Sequence, residues 1–197
     1  MKDVPFIKFA PNFITLVSLC CGISALKFAF QENWNSAVLM ILLAAFFDFF
    51  DGWLARRRNQ ISDLGRMLDP IADKILVIST LIVLMSNNVI EGNNIIAALL
   101  IIYREVFISG LREFFGNKSF VIHVTKLAKW KTAIQFITIL SFFTSQIVGD
   151  YFMYTHIINI FINFACTILI WTTSFISLFT GLNYIRSSYD YLNSKKK

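Results

Sequence analysis

The sequence predicts an all-α polytopic membrane protein: six transmembrane helices, with both termini in the cytoplasm. Three observations lead there. The 197 residues are 56% hydrophobic and include 21 phenylalanines, and a mean hydropathy of +0.64 suits a chain whose solvent is lipid rather than water. The apolar residues run continuously, without strand alternation, in windows of about 20 that can cross roughly 30 Å of hydrocarbon. Among the connections between those windows, finally, only alternate ones carry Lys or Arg.

The windows fall at 12–30, 34–55, 69–87, 94–115, 127–149 and 156–185. The first follows MKDVPFIKFAPNF, where charge precedes an apolar run as in a signal peptide. No small-residue cleavage site stands out and five further windows follow, so it reads as a retained helix. The sixth is long enough to tilt or to carry an extra cytoplasmic turn. Connections one–two (QEN), three–four (NNVIEGN) and five–six (GDYFMYT) have neither Lys nor Arg. Arg56, Arg57, Arg58 and Arg66 lie between windows two and three, Lys118, Lys126, Lys129 and Lys131 around the passage from four to five, and Lys195, Lys196 and Lys197 close the chain. The positive-inside rule places these groups and both termini in the cytoplasm. With no internal repeat or low-complexity linker, residues 1–197 read as one domain. Cys20 and Cys21 are adjacent and Cys166 is remote, so all three read as small core residues rather than a disulfide framework. A net charge of +6 then reports topology and an anionic substrate, not nucleic acid.

This orientation concentrates acid at one depth. Window two reaches the cytoplasmic side with Asp48 and Asp51, and window three leaves it with Asp69 and Asp73. Spacings of i, i+3 and i, i+4 put each pair on one helical face. A carboxylate at a bilayer centre costs about 2.5–3.5 kcal/mol, less near the interface, and four together repel. Two divalent cations would neutralise them. Separations along the helix axes of roughly 4.5 and 6 Å suit metals about 3.5–4 Å apart. All-oxygen donors favour Mg²⁺ or Mn²⁺, with Ca²⁺ less suited to phosphate chemistry. The plainer alternative is four solvated helix ends paired with cations such as Arg56 or Lys74. Gly52, Ala55, Arg56 and Gly65 at fixed offsets argue against it.

Asp48-x-x-Asp51-Gly52-x-x-Ala55-Arg56, eight residues, then Gly65-x-x-x-Asp69-x-x-x-Asp73 resembles, without a mismatch, the signature of the CDP-alcohol phosphotransferase family. The resemblance implies transfer of a phosphatidyl-type group from a CDP-linked lipid to an alcohol, with release of CMP. It implies that Asp48, Asp51 and Asp69 are metal ligands and that Asp73 is a ligand, the general base, or both. Gly52 and Ala55 would let the cytidine nucleotide lie against the helix, and Gly65 would permit close approach. Arg56 would clamp a phosphate with its planar fork. Asn12 and Thr15 either contact the nucleotide or cap the first helix.

A second polar set concerns the acceptor. Arg104 lies inside window four with Arg112 eight residues on, both on roughly one face, and Lys126, Lys129 and Lys131 open window five. An intramembrane arginine marks a ligand site or else an ion pair, here with Glu105 or a site aspartate. The lysines mark either a ligand or the positive-inside charge alone. Together these cations exceed what a CDP diphosphate needs, and an acceptor carrying its own phosphate accounts for the surplus. REVFISGLRE, LAKWKTAIQ and LDPIADK resemble the branch of the family whose acceptor is sn-glycerol 3-phosphate. That branch implies CDP-diacylglycerol as donor, a product feeding phosphatidylglycerol synthesis, the bacterial cytoplasmic membrane as location, and a homodimer. Ser18 departs from it, since that branch carries arginine there. The stretch PNFITLVSLCCG is similar to the serine-transferring branch, leaving serine, inositol phosphate and phosphatidylglycerol as alternative acceptors. From another class, a small divalent-cation transporter would also use membrane carboxylates.

Overall fold

The computed structural model describes the backbone of residues 6–58, 63–115, 126–151 and 156–194, and the side chains of 14, 16–50, 71–115, 130–150 and 157–193. Among the described residues six helices follow one another: α1 Phe6–Phe30, α2 Trp34–Arg58, α3 Asp63–Ser86, α4 Asn94–Phe115, α5 Lys126–Tyr151 and α6 His156–Ser194. There is no strand among the described residues. Most helices outrun their hydropathy windows. Hydropathy falls where charges begin, whereas backbone hydrogen bonding continues through Arg, Lys and Ser at little cost. So α1 starts at Phe6 and α6 continues to Ser194. Asn12 and Thr15 lie inside α1, which removes capping of the helix start as their role. Among the described residues, Asn94–Phe115, Trp130–Asp150 and Ile157–Asn193 are long and apolar enough to cross a membrane, and Leu16–Phe30 and Trp34–Phe50 are shorter apolar stretches. The protein is a membrane protein by this measure.

The chain forms two compact units, 1–87 and 88–197. In the first, α1 packs against both α2 and α3. The stripes at the contact are made of small residues: Gly22, Ala25 and Ala29 on α1, Ala37 and Ala44 on α2, all buried. In lipid no hydrophobic drive pulls apolar helices together, so close backbone approach and van der Waals contact do the work. The α1–α2 connection is fixed at both ends. Glu32 is left-handed at φ 59°; its N–H donates to Ala29 O at 3.0 Å and that of Asn33 to Phe28 O at 2.9 Å, closing α1 in a Schellman motif. Asn33 Oδ1 accepts from Ser36 N at 3.3 Å and so caps α2. At the far end of α3, Asn87 Nδ2 donates to Ala29 O at 2.8 Å, tying it to the end of α1.

In the second unit α6 packs against α4 and α5. Asn94 Nδ2 donates to Thr167 Oγ1 at 3.1 Å, Arg104 meets Ser177 and Arg112 meets Tyr184, so α4 and α6 run parallel. Thr138 and Thr173 hydroxyls are 2.6 Å apart and Cys166 Sγ lies 3.6 Å from Ser141 Oγ, so α5 and α6 run antiparallel. This unit buries polar side chains beside apolar ones such as Ile101, Phe143 and Ile170, and turns large apolar side chains outward. Thr138, Thr173, Ser174, Ser177 and Thr180 are buried, whereas Phe107, Phe114, Phe161, Phe164 and Phe175 are exposed, as a lipid solvent requires. Cys166 is buried; Cys20 is exposed and Cys21 only part-buried, so the core reading of the cysteines is corrected to Cys166 alone.

Candidate active site

The acidic motif belongs to the first unit. Asp48, Asp51, Gly52, Ala55 and Arg56 lie on α2, and Gly65, Asp69 and Asp73 on α3. The side chains of Asp51, Ala55, Arg56 and Asp69, like those of Asn12 and Thr15, fall outside the described residues, as do the surroundings of Gly52 and Gly65. Asp48 and Asp73 are exposed. Among the described residues no three His, Cys, Asp or Glu side chains form a metal-binding group; two of the four expected ligands are not among them.

Helix α1 aligns the two helices that carry these acids. Ser18 Oγ donates to Ala44 O at 2.8 Å, one turn before Asp48. Gly22 faces Leu76, one turn after Asp73, so closely that a Cβ there would come within 2.8 Å of Leu76 Cδ1. From Ser18–Ala44, the antiparallel register of α2 carries Asp48 to the level of Ile14. From Gly22–Leu76, the parallel register of α3 carries Asp73 to the level of Leu19. The backbone positions of the two aspartates are thus offset by only about 7–8 Å along the axis of α1. An all-carboxylate donor set on two helices keyed to a third fits hard divalent ions.

The cationic set belongs to the second unit. Arg104 is buried, and its long stem crosses Gly181, where a Cβ would lie 3.2 Å from Arg104 Cγ. Its Nε donates to Ser177 O at 3.1 Å and its Nη2 to Thr180 Oγ1 at 3.1 Å. Nη1 lies 3.5 Å from the Glu105 carboxylate, the outer edge of a hydrogen bond. Lys131 Nζ is ion-paired to the same carboxylate, so two buried cations share one buried anion. Arg112 is exposed; its Nη2 donates to Tyr184 OH at 2.7 Å and its guanidinium carbon sits 5.1 Å from that ring's centroid, a cation–π distance. Lys126 and Lys129 open α5 with side chains outside the described residues.

Residues 8–179 match the family model for CDP-alcohol phosphatidyltransferase. The chain belongs to the CDP-alcohol phosphatidyltransferase family. The match crosses both units, so the acidic helices and the cationic helices lie within one family domain sequence. Among curated relatives, a CDP-diacylglycerol–glycerol-3-phosphate 3-phosphatidyltransferase of Cereibacter sphaeroides is 44% identical over 133 residues, covering 66% of this chain and 60% of the relative. Proteins of the same name from Rickettsia felis and Rickettsia typhi are 33% and 34% identical, each over 93% of this chain and over 97% and 99% of their own lengths. The chain therefore spans about 60% of the Cereibacter relative and nearly all of the Rickettsia ones.

In the sequence of this CDP-alcohol phosphatidyltransferase domain Glu105 reads only as an ion-pair partner of Arg104, and α6 offers no site residue. In the structure Glu105 joins Arg104 and Lys131, and α6 supplies Ser177, Thr180 and Tyr184 to the arginines. A signal was present. Thr173, Ser177, Thr180, Tyr184 and Ser188 recur every three or four residues in an apolar run, the mark of a polar stripe on one helical face.

Proposed function

We propose that the protein transfers the phosphatidyl group of CDP-diacylglycerol to sn-glycerol 3-phosphate, giving phosphatidylglycerophosphate and CMP. Relatives that carry this activity in their name and align over nearly the whole of this chain support the reaction. The observation that carries the acceptor is the Arg104–Glu105–Lys131 cluster with Arg112 alongside on α4. Its cations outnumber its one carboxylate, which suits a dianionic phosphate.

In the step, the acceptor's primary hydroxyl oxygen attacks the phosphorus that bears diacylglycerol. A new P–O bond forms, the P–O bond to the cytidylyl phosphate breaks, and the electron pair leaves on CMP. Asp73 takes the hydroxyl proton. Asp48, Asp51, Asp69 and Asp73 would hold two divalent ions, Mg²⁺ or Mn²⁺, which when bound supply charge neutralisation at the diphosphate. Arg56 donates to a diphosphate oxygen. Gly52, Ala55 and Gly65 leave room for the nucleotide, with Asn12 and Thr15 beside it. Arg104, Arg112, Lys126, Lys129 and Lys131 orient the acceptor through its phosphate, converting an encounter into a fixed approach.

Six spans, cytoplasmic termini, a cytoplasm-facing site in a bacterial inner membrane, a single functional domain and a homodimer complete the reading. The test is CMP release by purified protein in detergent with CDP-diacylglycerol and Mg²⁺ or Mn²⁺. Glycerol 3-phosphate should support it and serine much less; a reversed preference replaces the acceptor. Metal flux in proteoliposomes without lipid substrate would instead favour a divalent-cation transporter. Ser18 resembles the serine-transferring branch, but its hydroxyl is engaged with Ala44 of α2, a use that involves no acceptor.

A further inference from the structure

Three polar atoms of the second unit are shut away from solvent without a hydrogen-bond partner: Gln135 Nε2, Ser174 Oγ and Ser177 Oγ. Gln135 is 4%, Ser174 1% and Ser177 0% exposed. Each such group costs on the order of 1–3 kcal/mol when left unsatisfied, and native interiors keep few of them. Three in one unit therefore ask for a ligand.

Their placement names its chemistry. Gln135 follows Lys131 by one turn of α5, about 6 Å along the axis. Ser177 follows Thr173 by one turn of α6, and the Thr138–Thr173 contact in antiparallel helices brings Gln135 and Ser177 to one level. Ser174 lies on the same buried stretch of α6. The carbonyl of Ser177 accepts from Arg104 Nε. The unpaired amide and hydroxyls thus adjoin the two cations joined by Glu105. They are neutral donors and acceptors, suited to alcohol groups and not to a second charge. We propose that Gln135, Ser174 and Ser177 form a subsite that reads the non-reacting hydroxyl of a small phosphorylated polyol. The inference rests on the reading of Arg104 and Lys131 as the seat of the acceptor's phosphate. A ligand whose phosphate is held at Lys131 brings its hydroxyl toward Gln135, one turn further along α5, where that hydroxyl satisfies the unpartnered groups. Specificity follows from the same asymmetry: an acceptor without that hydroxyl leaves them unpaired.

The experiment compares glycerol 3-phosphate with 3-hydroxypropyl phosphate, which keeps the phosphate and the primary hydroxyl and lacks only the secondary one. In the wild-type protein kcat/KM should favour glycerol 3-phosphate by about 10- to 100-fold. Gln135→Leu and Ser177→Ala should each cut that ratio by about tenfold, while kcat/KM for 3-hydroxypropyl phosphate changes less than about threefold. Because the ratio is taken within one preparation, a partial loss of folded protein cancels, and Ser177→Ala removes a single oxygen should Gln135→Leu fail to fold. A wild-type ratio near one, or an unchanged ratio in the variants, overturns the subsite; equal loss toward both acceptors would mark these groups as structural and overturn it as well. Failure of the underlying reading looks different: the wild-type protein would then turn over neither phosphorylated acceptor.

Discussion

Replacing Glu105 by Gln removes one negative charge and almost no volume, so its effect isolates electrostatics from packing. In the folded protein the side chains of Arg104, Glu105 and Lys131 are 8%, 9% and 8% exposed. Water cannot take over the lost role, and two cations remain face to face in a desolvated interior. Breaking a buried pair by removing one member costs about 3–5 kcal/mol. The new amide keeps one oxygen that can accept from Lys131, which points to the lower end, about 3 kcal/mol. For a chain of this size 1 kcal/mol shifts Tm by about 2–4 °C, so Glu105→Gln should melt roughly 6–12 °C below the wild type. The assay is thermal unfolding in detergent, with Lys131→Met and the double variant completing a cycle. Removing both ends restores the charge balance around Arg104, and the double variant should be more stable than Glu105→Gln alone, with a coupling of at least about 1 kcal/mol. If Glu105→Gln melts within 1–2 °C of the wild type and the two changes simply add, the carboxylate does not anchor the cluster.

Three further outcomes follow from the two units. Asp69→Asn should abolish CMP release with every acceptor while a detergent melt stays within a few degrees of the wild type, since a missing charge near an anionic diphosphate affects ligation more than packing; retained turnover refutes the ligand role. Arg112→Ala loses charge-assisted hydrogen bonds worth about 1.5–3 kcal/mol, so the KM for glycerol 3-phosphate should rise by roughly 10- to 100-fold with the KM for CDP-diacylglycerol spared; the opposite pattern moves Arg112 to the donor. Gly22→Val forces branched carbons into the space of Leu76 Cδ1. Overpacking of about 1–3 kcal/mol should lower both Tm and kcat, because α1 aligns the helices of Asp48 and Asp73; a kcat equal to wild type would show that this alignment tolerates the shift.

Much of the architecture was legible because the physics that writes it is local. An uninterrupted apolar run can satisfy its backbone only as a helix, so the six helices appear where hydropathy places them, displaced mainly at their charged ends. The helices bearing the motif were legible for the same reason: the spacings of Asp48, Asp51, Asp69 and Asp73 have meaning only on helices, and the signature they form lies inside a family match that runs over residues 8–179.

What sequence alone could not supply was pairing across helices. Nothing local distinguishes Ser18 as the residue that ties α1 to α2 from a serine facing lipid, or Gly22 from an ordinary helical glycine; each acquires its role from the residue opposite, Ala44 or Leu76. The same holds for Glu105, which reads as one more charge beside Arg104 until α5 brings Lys131 onto it, and for Gln135, whose amide is buried and unpartnered only in the packed unit. Composition and periodicity decide which segments become helices and which face of each is polar. Which polar face meets which is decided by tertiary packing, since hydrogen bonds and ion pairs between helices depend on register and distance, and neither is written in any one segment.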